Sequence, residues 1–335
     1  MERIIGFCIL LGLISCEVDS PIINHYKLEI PAGFPEINYP NDNLPNLERI
    51  ALGKRLFFDP ILSRDSSISC SSCHLQEYAF ADNKSVSPGV DGNLGFRNSM
   101  SLANVAYADF LLREGGVPTL EMQVLAPIQD HNEMDFNIIP VAERMKLDSS
   151  YVKQSKAAYN REPDAFVITR AIAAFERTLI SGDSNYDKDH LSASERNGKA
   201  LFFSDSLACS SCHGTILFTN QGIENNGLYV QYSDSGRYRL THLQEDIGKF
   251  KVPTLRNIEL TAPYMHDGSI ESLEEVISNY EAGGKEHFNQ SPLIKGFNLT
   301  STERENLISF LYSLSDDDFT QNTNFQKQYQ KKAFQ

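Results

Sequence analysis

The chain has 335 residues, which is enough for two compact domains and not for many more. A formal net charge of −14 argues against nucleic acid and anionic lipid as partners, because both are negatively charged and select basic surfaces. A partner protein with a basic face remains compatible with this charge.

Residues 1–15 have the pattern of an export signal, with Arg3 as the lone positive charge before an apolar run. That run is too short to span a bilayer comfortably. It ends in a small residue followed by Cys16, which resembles the lipobox of bacterial lipoproteins. We therefore expect a periplasmic protein whose only membrane contact is a lipid on Cys16, followed by a tail at 16–45. An ordinary signal peptide with an incidental cysteine is the alternative.

The cysteines are the strongest signal in the chain. In an exported protein six cysteines would ordinarily form disulfides, but Cys8 leaves with the signal and Cys16 takes the lipid. The other four form two pairs, each followed directly by histidine, in Cys70-Ser71-Ser72-Cys73-His74 and Cys209-Ser210-Ser211-Cys212-His213.

This Cys-x-x-Cys-His pattern is typical of covalent haem attachment. The two thiols add to the vinyl groups of one haem, and the histidine becomes the proximal iron ligand. A single copy could instead be half of a zinc site, but no further Cys-x-x-Cys pair is present to complete one. The sequence therefore predicts two haem c groups, one held by His74 and one by His213.

The stretch before each motif is also repeated. Gly53–Phe58 reads Gly-Lys-Arg-Leu-Phe-Phe, and Gly198–Phe203 reads Gly-Lys-Ala-Leu-Phe-Phe. A helix that ends in aromatic residues before a haem-binding turn is typical of small c-type cytochrome domains, so we expect two in tandem. We place the N-terminal haem domain at 46–185 and the C-terminal haem domain at 186–314.

Helix signals support this organisation. Apolar periodicity predicts helices through Leu47, Ile50, Lys54 and Phe57 and through Ile168, Ile172, Phe175 and Leu179, the second stopping near Gly182. Capping boxes are predicted at Ser192/Glu195, Ser272/Glu275 and Thr302/Glu305. Strand patterns are scarce, so the predicted fold is mainly α with long haem-wrapping loops. We expect a polar linker at 181–189 and a partly disordered tail at 315–335.

From about Asn46 to Leu314 the sequence resembles the bacterial di-haem cytochrome c peroxidases and MauG, the methylamine-utilisation enzyme. The markers, spread over both halves in the family's order, are Arg97-Asn98, Gly115-Gly116, Gln123, Pro127, Glu133-Met134, Leu255-Arg256-Asn257 and Thr261-Ala262-Pro263-Tyr264-Met265-His266-Asp267-Gly268. The resemblance implies that the N-terminal haem is the peroxide site and that the C-terminal haem stores or relays an electron.

The resemblance also places Glu133 and Gln123 on the distal side of the haem held by His74. A proton must move from one peroxide oxygen to the other before the O–O bond breaks heterolytically, and a carboxylate can carry it as base and then acid. Glu133 suits that role, and Gln123 could hold the peroxide in line as a neutral donor and acceptor. The alternative is that Glu133 is one more surface carboxylate in an acidic protein.

Two departures from the family bear on the chemistry. No histidine lies between His74 and His131, so the loop that supplies a distal histidine in several members has none here. We expect an open or water-ligated iron that needs no reductive activation, as in MauG. The family's tryptophan between the haems is replaced by Arg113, and the chain contains no tryptophan. Electron transfer would then use Tyr107, another tyrosine or direct tunnelling.

The resemblance further implies a calcium ion between the haem domains, with the Asn98 side chain and the carbonyls of Thr261 and Pro263 as ligands. A hydrogen-bonded asparagine at the domain contact is the alternative. For the sixth ligand of the C-terminal haem the candidates are Tyr280 and Met265. Tyr280 follows His266 by fourteen residues, the family's ligand spacing. Its alternative role is that of a core aromatic.

Three functions are compatible with these residues. The leading one is reduction of hydrogen peroxide to water with electrons from a small periplasmic donor such as a cytochrome or cupredoxin. The second is MauG-like oxidation of a partner protein or organic molecule, and the third is a di-haem electron carrier without enzymatic activity. Glu133 beside an open haem favours an enzyme over a carrier. A homodimer is also considered.

Overall fold

The computed structural model describes residues 26–327, so the predicted signal, Cys16 and the last residues of the tail lie outside the described residues. Regular structure in this range is almost entirely helical, in agreement with the predicted mainly α class. The α-helices are α1 (Leu47–Phe57), α2 (Leu120–Gln123), α3 (Leu125–Gln129), α4 (Ile138–Lys146), α5 (Ser149–Tyr159), α6 (Ala165–Glu176), α7 (Ala193–Phe202), α8 (Cys209–His213), α9 (Tyr238–Thr241), α10 (Leu273–Glu281), α11 (Ser301–Tyr312) and α12 (Asp317–Gln321). Two short antiparallel strands, β1 (Ile223–Glu224) and β2 (Phe250–Lys251), pair with Ile223 opposite Lys251.

The predicted helix before the first haem motif is confirmed as α1. The side chain of Asn46 caps it by accepting a hydrogen bond from the Arg49 N–H at 2.7 Å. Its buried face includes Lys54 and Phe57 of the predicted stripe, but Leu47 is exposed. The Lys54 ammonium donates to the Asn324 carbonyl at 2.6 Å. The long aliphatic stem of a lysine can line a core while its ammonium reaches an acceptor at the edge.

The predicted helix through Ile168 and Ile172 is confirmed as α6, which ends at Glu176, before Leu179. It crosses α1 at Gly53, where a methyl group would overlap the Ala171 carbonyl. In the second half α7 crosses α11 in the same way, since a methyl group at Gly198 would overlap the Asn306 carbonyl.

The aromatic residues repeat this correspondence. Phe57 packs on Phe80 and Phe175 with ring centroids 5.9 and 5.2 Å apart. Phe202 packs on Phe218 and Phe310 at 5.9 and 5.2 Å. The sequence repeat before the two motifs therefore corresponds to a repeat in three-dimensional packing.

The apolar core is also divided along the chain. One buried cluster draws on residues 52–172, and another draws on residues 202–314. The domain bounds 46–185 and 186–314 stay predictions; we call the two ranges the N-terminal and C-terminal halves.

The three predicted capping boxes have three different outcomes. The box at Ser192/Glu195 is confirmed. Ser272 caps α10, but the Glu275 carboxylate accepts from the Glu271 N–H rather than from Ser272. The box at Thr302/Glu305 is wrong.

The box that begins α11 lies two residues earlier. The Thr300 hydroxyl accepts from the Glu303 N–H at 3.3 Å, and the Glu303 carboxylate accepts from the Thr300 N–H at 2.8 Å. Both threonines have a glutamate three residues later, so the pattern alone could not locate the helix start.

The predicted linker and tail are both packed. Ser181 and Ser184 are buried, and the Asp316 carboxylate accepts from the Ser181 hydroxyl at 3.0 Å and from the Gly182 N–H at 2.9 Å. Through Phe325 the tail is structured rather than disordered, because α12 and the turn after it bury two phenylalanines against the N-terminal half. No helix within residues 26–327 is long and apolar enough to cross a membrane.

Candidate functional site

The first motif forms a tight turn that presents His74. Cys70–Ser72 form a 3-10 turn, and the His74 Nδ1 lies 2.8 Å from the Phe80 carbonyl oxygen. Phe80 reaches that position through a left-handed backbone conformation with φ of 58°. Burial lowers the pKa of His74, which favours the neutral imidazole, while contacts with the Phe80 and Met100 backbone oppose this shift. A neutral ring that donates from Nδ1 to Phe80 has its lone pair on Nε2. This is the arrangement that orients a histidine toward a metal.

The second motif repeats the arrangement on α8. The His213 Nδ1 lies 2.9 Å from the Phe218 carbonyl, and Phe218 is again left-handed with φ of 51°. Burial lowers the pKa of His213 as well. All four cysteines of the motifs are free thiols, as haem attachment requires.

A cavity of 390 Å³ lies against the first motif. This volume is within the range of about 300–1,000 Å³ that is typical of cofactor pockets. Its lining brings together six of the predicted site residues: Cys70, Cys73, His74, Asn98, Gln123 and Glu133. Residues far apart in the sequence therefore meet where the resemblance implied a peroxidatic haem.

Glu133 faces this cavity from the segment that follows α3. That segment lies against the loop after the first motif, because the Val90 N–H donates to the Glu133 carbonyl at 2.8 Å and a methyl group on Gly89 would overlap the Asn132 carbonyl. The Glu133 residue as a whole is exposed, but desolvation by the protein around its carboxyl, together with the charge of Asp130, raises the pKa of Glu133 to about 7. A carboxyl with that pKa can accept and release a proton near neutral pH.

Gln123 is positioned by the short helix α2. The Thr119 side chain caps this helix by accepting from the Met122 N–H, and the Gln123 N–H bonds to the Thr119 carbonyl at 3.0 Å. His131, by contrast, is exposed and pairs with Asp135 at 2.5 Å. Among the residues described, His74 is the only histidine that lines the cavity.

Sequence reasoning missed Glu176 in the same cavity. Its residue is 4% exposed, and its Oε2 has no hydrogen-bond partner in residues 26–327. Burial raises the pKa of Glu176 to about 8, despite the opposing effect of Arg177. The available signal was a glutamate at the end of the apolar run of α6.

Two half-buried cations that line the cavity, Arg113 and Lys251, were also missed by sequence reasoning. Burial lowers the pKa of Arg113 to about 10 and that of Lys251 to about 8. The Lys251 ammonium donates to the Phe110 carbonyl at 2.8 Å, and neither cation forms an ion pair with a described residue. Cations shielded from water need anionic partners, so these residues fit the propionates of a haem in this cavity.

Both candidates for the sixth ligand of the second haem lie near Asn226. Its amide donates to the Met265 sulfur at 3.3 Å. Burial raises the pKa of Tyr280, the Asn226 side chain opposes this, and the thiols of Cys212 and Cys209 are near enough to contribute. Tyr280 thus approaches the second motif from α10, as its predicted role requires.

Among the predicted calcium ligands, Asn98 lies at the contact between the halves. The Asn98 N–H donates at 2.9 Å to the carbonyl of His266, which follows Pro263 by three residues in the sequence. However, the Asn98 Oδ1 accepts from the Arg113 Nη2 at 2.7 Å. A guanidinium bound to the one side-chain ligand does not fit a calcium ion there, because the two cations would repel each other.

Comparisons with known proteins agree with this geometry. A family model described as di-haem cytochrome c peroxidase matches residues 47–195. The cytochrome c peroxidase IdrP1 of Pseudomonas sp. (strain SCT) is 34% identical, covering 85% of each chain. The methylamine utilization protein MauG of Methylorubrum extorquens is 33% identical, over 83% of this chain and 81% of its own.

A solved structure gives the same result. The crystal structure of a MauG-like protein associated with microbial copper homeostasis superimposes with a TM-score of 0.86 at 34% identity, over 90% of this chain and 99% of that one. The chain therefore belongs to the family of bacterial di-haem cytochrome c peroxidases and MauG, and it is a di-haem oxidoreductase of the cytochrome c peroxidase type.

Proposed function

We propose that the protein reduces hydrogen peroxide to water at the N-terminal haem, with electrons that enter through the C-terminal haem. The observation that carries this proposal is the cavity in which Gln123 and Glu133 lie together with the first haem motif. An electron carrier has no use for an acid with a pKa of about 7 in such a cavity.

The residues of the cavity have separate roles in peroxide cleavage. A haem attached through Cys70 and Cys73, with His74 as its iron ligand, would supply the redox chemistry. Glu133 takes the proton from one peroxide oxygen and returns it to the other, which leaves as water. The Gln123 amide can accept from and donate to the same peroxide and so keep it in line. Two electrons and two protons complete the reduction to two water molecules.

We propose that turnover needs no prior reduction of the C-terminal haem. In the family members that need this reduction, a histidine blocks the peroxidatic iron. The exposure of His131 and its pairing with Asp135 support an open distal side here.

The donor is proposed to be a small periplasmic cytochrome or cupredoxin. The net charge of −14 favours a donor with a basic face, since complementary charge speeds the encounter. The lipid on Cys16, the periplasmic location and a homodimer stay predictions. The calcium ion also stays a prediction, which the Arg113 contact with Asn98 speaks against.

Replacement of Glu133 tests the proposal. We expect Glu133→Gln to keep both haems attached and to slow peroxide reduction by about a hundredfold or more, the usual effect of removing a general acid–base. The assay is steady-state turnover with a reduced cytochrome and no pre-reduction. The control is Glu143→Gln, whose side chain is exposed and pairs with Lys146. Wild-type turnover in Glu133→Gln would rule out a catalytic role for this residue.

Oxidation of a partner protein or organic molecule, as in MauG, is a second candidate. Tyr280 beside the second motif favours it, because a phenolate ligand stabilises oxidised iron and makes that haem a poor store of reducing electrons. In that case peroxide consumption would be slow with reduced cytochrome and would instead follow the addition of an oxidisable protein. Fast turnover with the cytochrome would reject this candidate.

A further inference from the structure

The Arg113 guanidinium donates to both oxygen atoms of Asn98. Its Nη2 lies 2.7 Å from the Asn98 Oδ1, and its Nε and Nη2 lie 3.0 and 2.9 Å from the Asn98 carbonyl oxygen. A guanidinium has five donors in a rigid planar fork, which suits this double contact. Asn98 is itself buried, so its oxygens have little access to water.

The same arginine lies where the two halves meet. Its carbonyl accepts from the Lys251 N–H at 2.6 Å, and Asn98 donates to the His266 carbonyl at 2.9 Å. Next to it Arg97 pairs with Glu114 and, across the contact, with Asp234 at 2.6 Å. We call this contact, formed by Arg97, Asn98, Arg113, Lys251 and His266, the junction.

We propose that the Arg113 guanidinium is the resident structural cation of the junction and stands where a calcium ion would otherwise bind Asn98. The proposal concerns the structure of the junction and does not depend on the proposed peroxidase activity.

Charge and ligand geometry support the assignment. Calcium takes six to eight oxygen ligands at about 2.3–2.6 Å. An ion bound at the Asn98 Oδ1 would lie beside a half-buried guanidinium that already donates to that oxygen. Arg97 is a second positive charge nearby and lowers the pKa of Arg113 further, while Asp267 and Asp234 oppose this shift. The two arginines therefore already supply positive charge at the place where a calcium ion would bind.

The test measures calcium content and thermal stability of the haem-loaded protein. After dialysis against EGTA, we expect wild-type protein to contain far less than one calcium per chain and to show the same Tm with EGTA or with added calcium. Arg113→Gln should lower Tm by roughly 3–10 °C, because buried Asn98 acceptors lose their donor. Added calcium should raise the Tm of Arg113→Gln and not that of wild type.

Two further variants make the result specific. Arg113→Lys keeps the positive charge and should lose less Tm than Arg113→Gln, without a calcium response. Lys153→Gln, at an exposed position of α5 away from the cavity, removes a positive charge and should leave Tm unchanged. Stoichiometric calcium in the wild type, or a Tm that falls with EGTA, would overturn the proposal even if Arg113→Gln failed to fold. An Arg113→Gln protein as stable as wild type, or one that calcium does not stabilise, would also overturn it.

Discussion

Two carboxyl groups line the first cavity, and their surroundings differ. Glu133 faces the cavity and has a pKa raised to about 7, whereas Glu176 is 4% exposed with a pKa raised to about 8. At neutral pH the buried acid is therefore mostly protonated. It can donate a hydrogen bond into the cavity, and it adds little negative charge beside a haem that already carries propionates.

The raised pKa of Glu176 makes stability depend on pH. A carboxyl whose pKa is higher in the folded than in the unfolded protein stabilises the fold fully below the unfolded pKa, near 4.5, and loses this contribution as pH rises through about 8. We expect Glu176→Gln to reduce the fall in Tm between these pH values and to exceed wild type in Tm at the upper end. Thermal scans of the haem-loaded proteins across this range provide the measurement. Parallel Tm profiles for the two proteins would contradict the assignment of a buried neutral acid.

Tyr280 gives the second residue-scale prediction. If it ligates the C-terminal haem, Tyr280→Phe should change the ferric spectrum of that haem only, and its reduction potential should rise because a phenolate that stabilises ferric iron is removed. Met265→Leu is the matched variant, since both side chains lie near Asn226. A spectral change in Met265→Leu, with none in Tyr280→Phe, would assign the methionine instead.

At the scale of elements, the paired helices α1/α6 and α7/α11 hold the two haem motifs in the same way. The repeat of Gly-Lys-x-Leu-Phe-Phe pointed to this, because the same glycine and the same pair of aromatic residues precede both motifs. The sequence alone could not show why a glycine is needed at each position, since the backbone that approaches it, at Ala171 or Asn306, is more than a hundred residues away in the chain.

Alanine at Gly53 tests this close approach. Helix propensity alone would favour alanine by about 1 kcal/mol. Overlap with the Ala171 carbonyl should outweigh that gain, so we expect Gly53→Ala to lose about 1–3 kcal/mol of unfolding free energy. Urea denaturation gives the value, and Lys153→Ala, at an exposed position of α5, is the control for alanine in a helix without a buried contact. An unchanged or higher stability of Gly53→Ala would mean that the helices can separate without cost.

At the scale of the whole molecule, local patterns predicted the haem motifs and most of the helices flanking them, but not the contacts between distant segments. The Cys-x-x-Cys-His motifs and the Ser192/Glu195 cap are encoded within a few residues. The Arg113 contact with Asn98 and the folding of the tail onto the N-terminal half depend on residues that approach only in the complete fold. The low apolar content of the tail therefore suggested disorder, although two phenylalanines are enough to anchor this segment.

The tail gives the last prediction, because it connects the end of the chain to the first haem motif. Phe319 and Phe325 pack on Phe80 with ring centroids 5.6 and 6.2 Å apart, and Phe80 supplies the carbonyl that lies 2.8 Å from the His74 Nδ1. The Gln76 amide also donates to the Phe319 carbonyl at 3.1 Å. Loss of these rings should loosen the loop that orients the proximal histidine.

We therefore expect Phe319→Ala to lower the unfolding free energy by about 3–5 kcal/mol, the usual cost of removing a buried phenylalanine. It should also alter the spectrum of the haem held by His74 while leaving that of the haem held by His213 unchanged, since the second cluster has its own aromatic residues. Phe288→Ala, at a residue that is 70% exposed, is the matched control and should change neither property. Equal spectral changes at both haems would show that the tail acts on the whole fold, whereas wild-type stability would show that it is not anchored at Phe80.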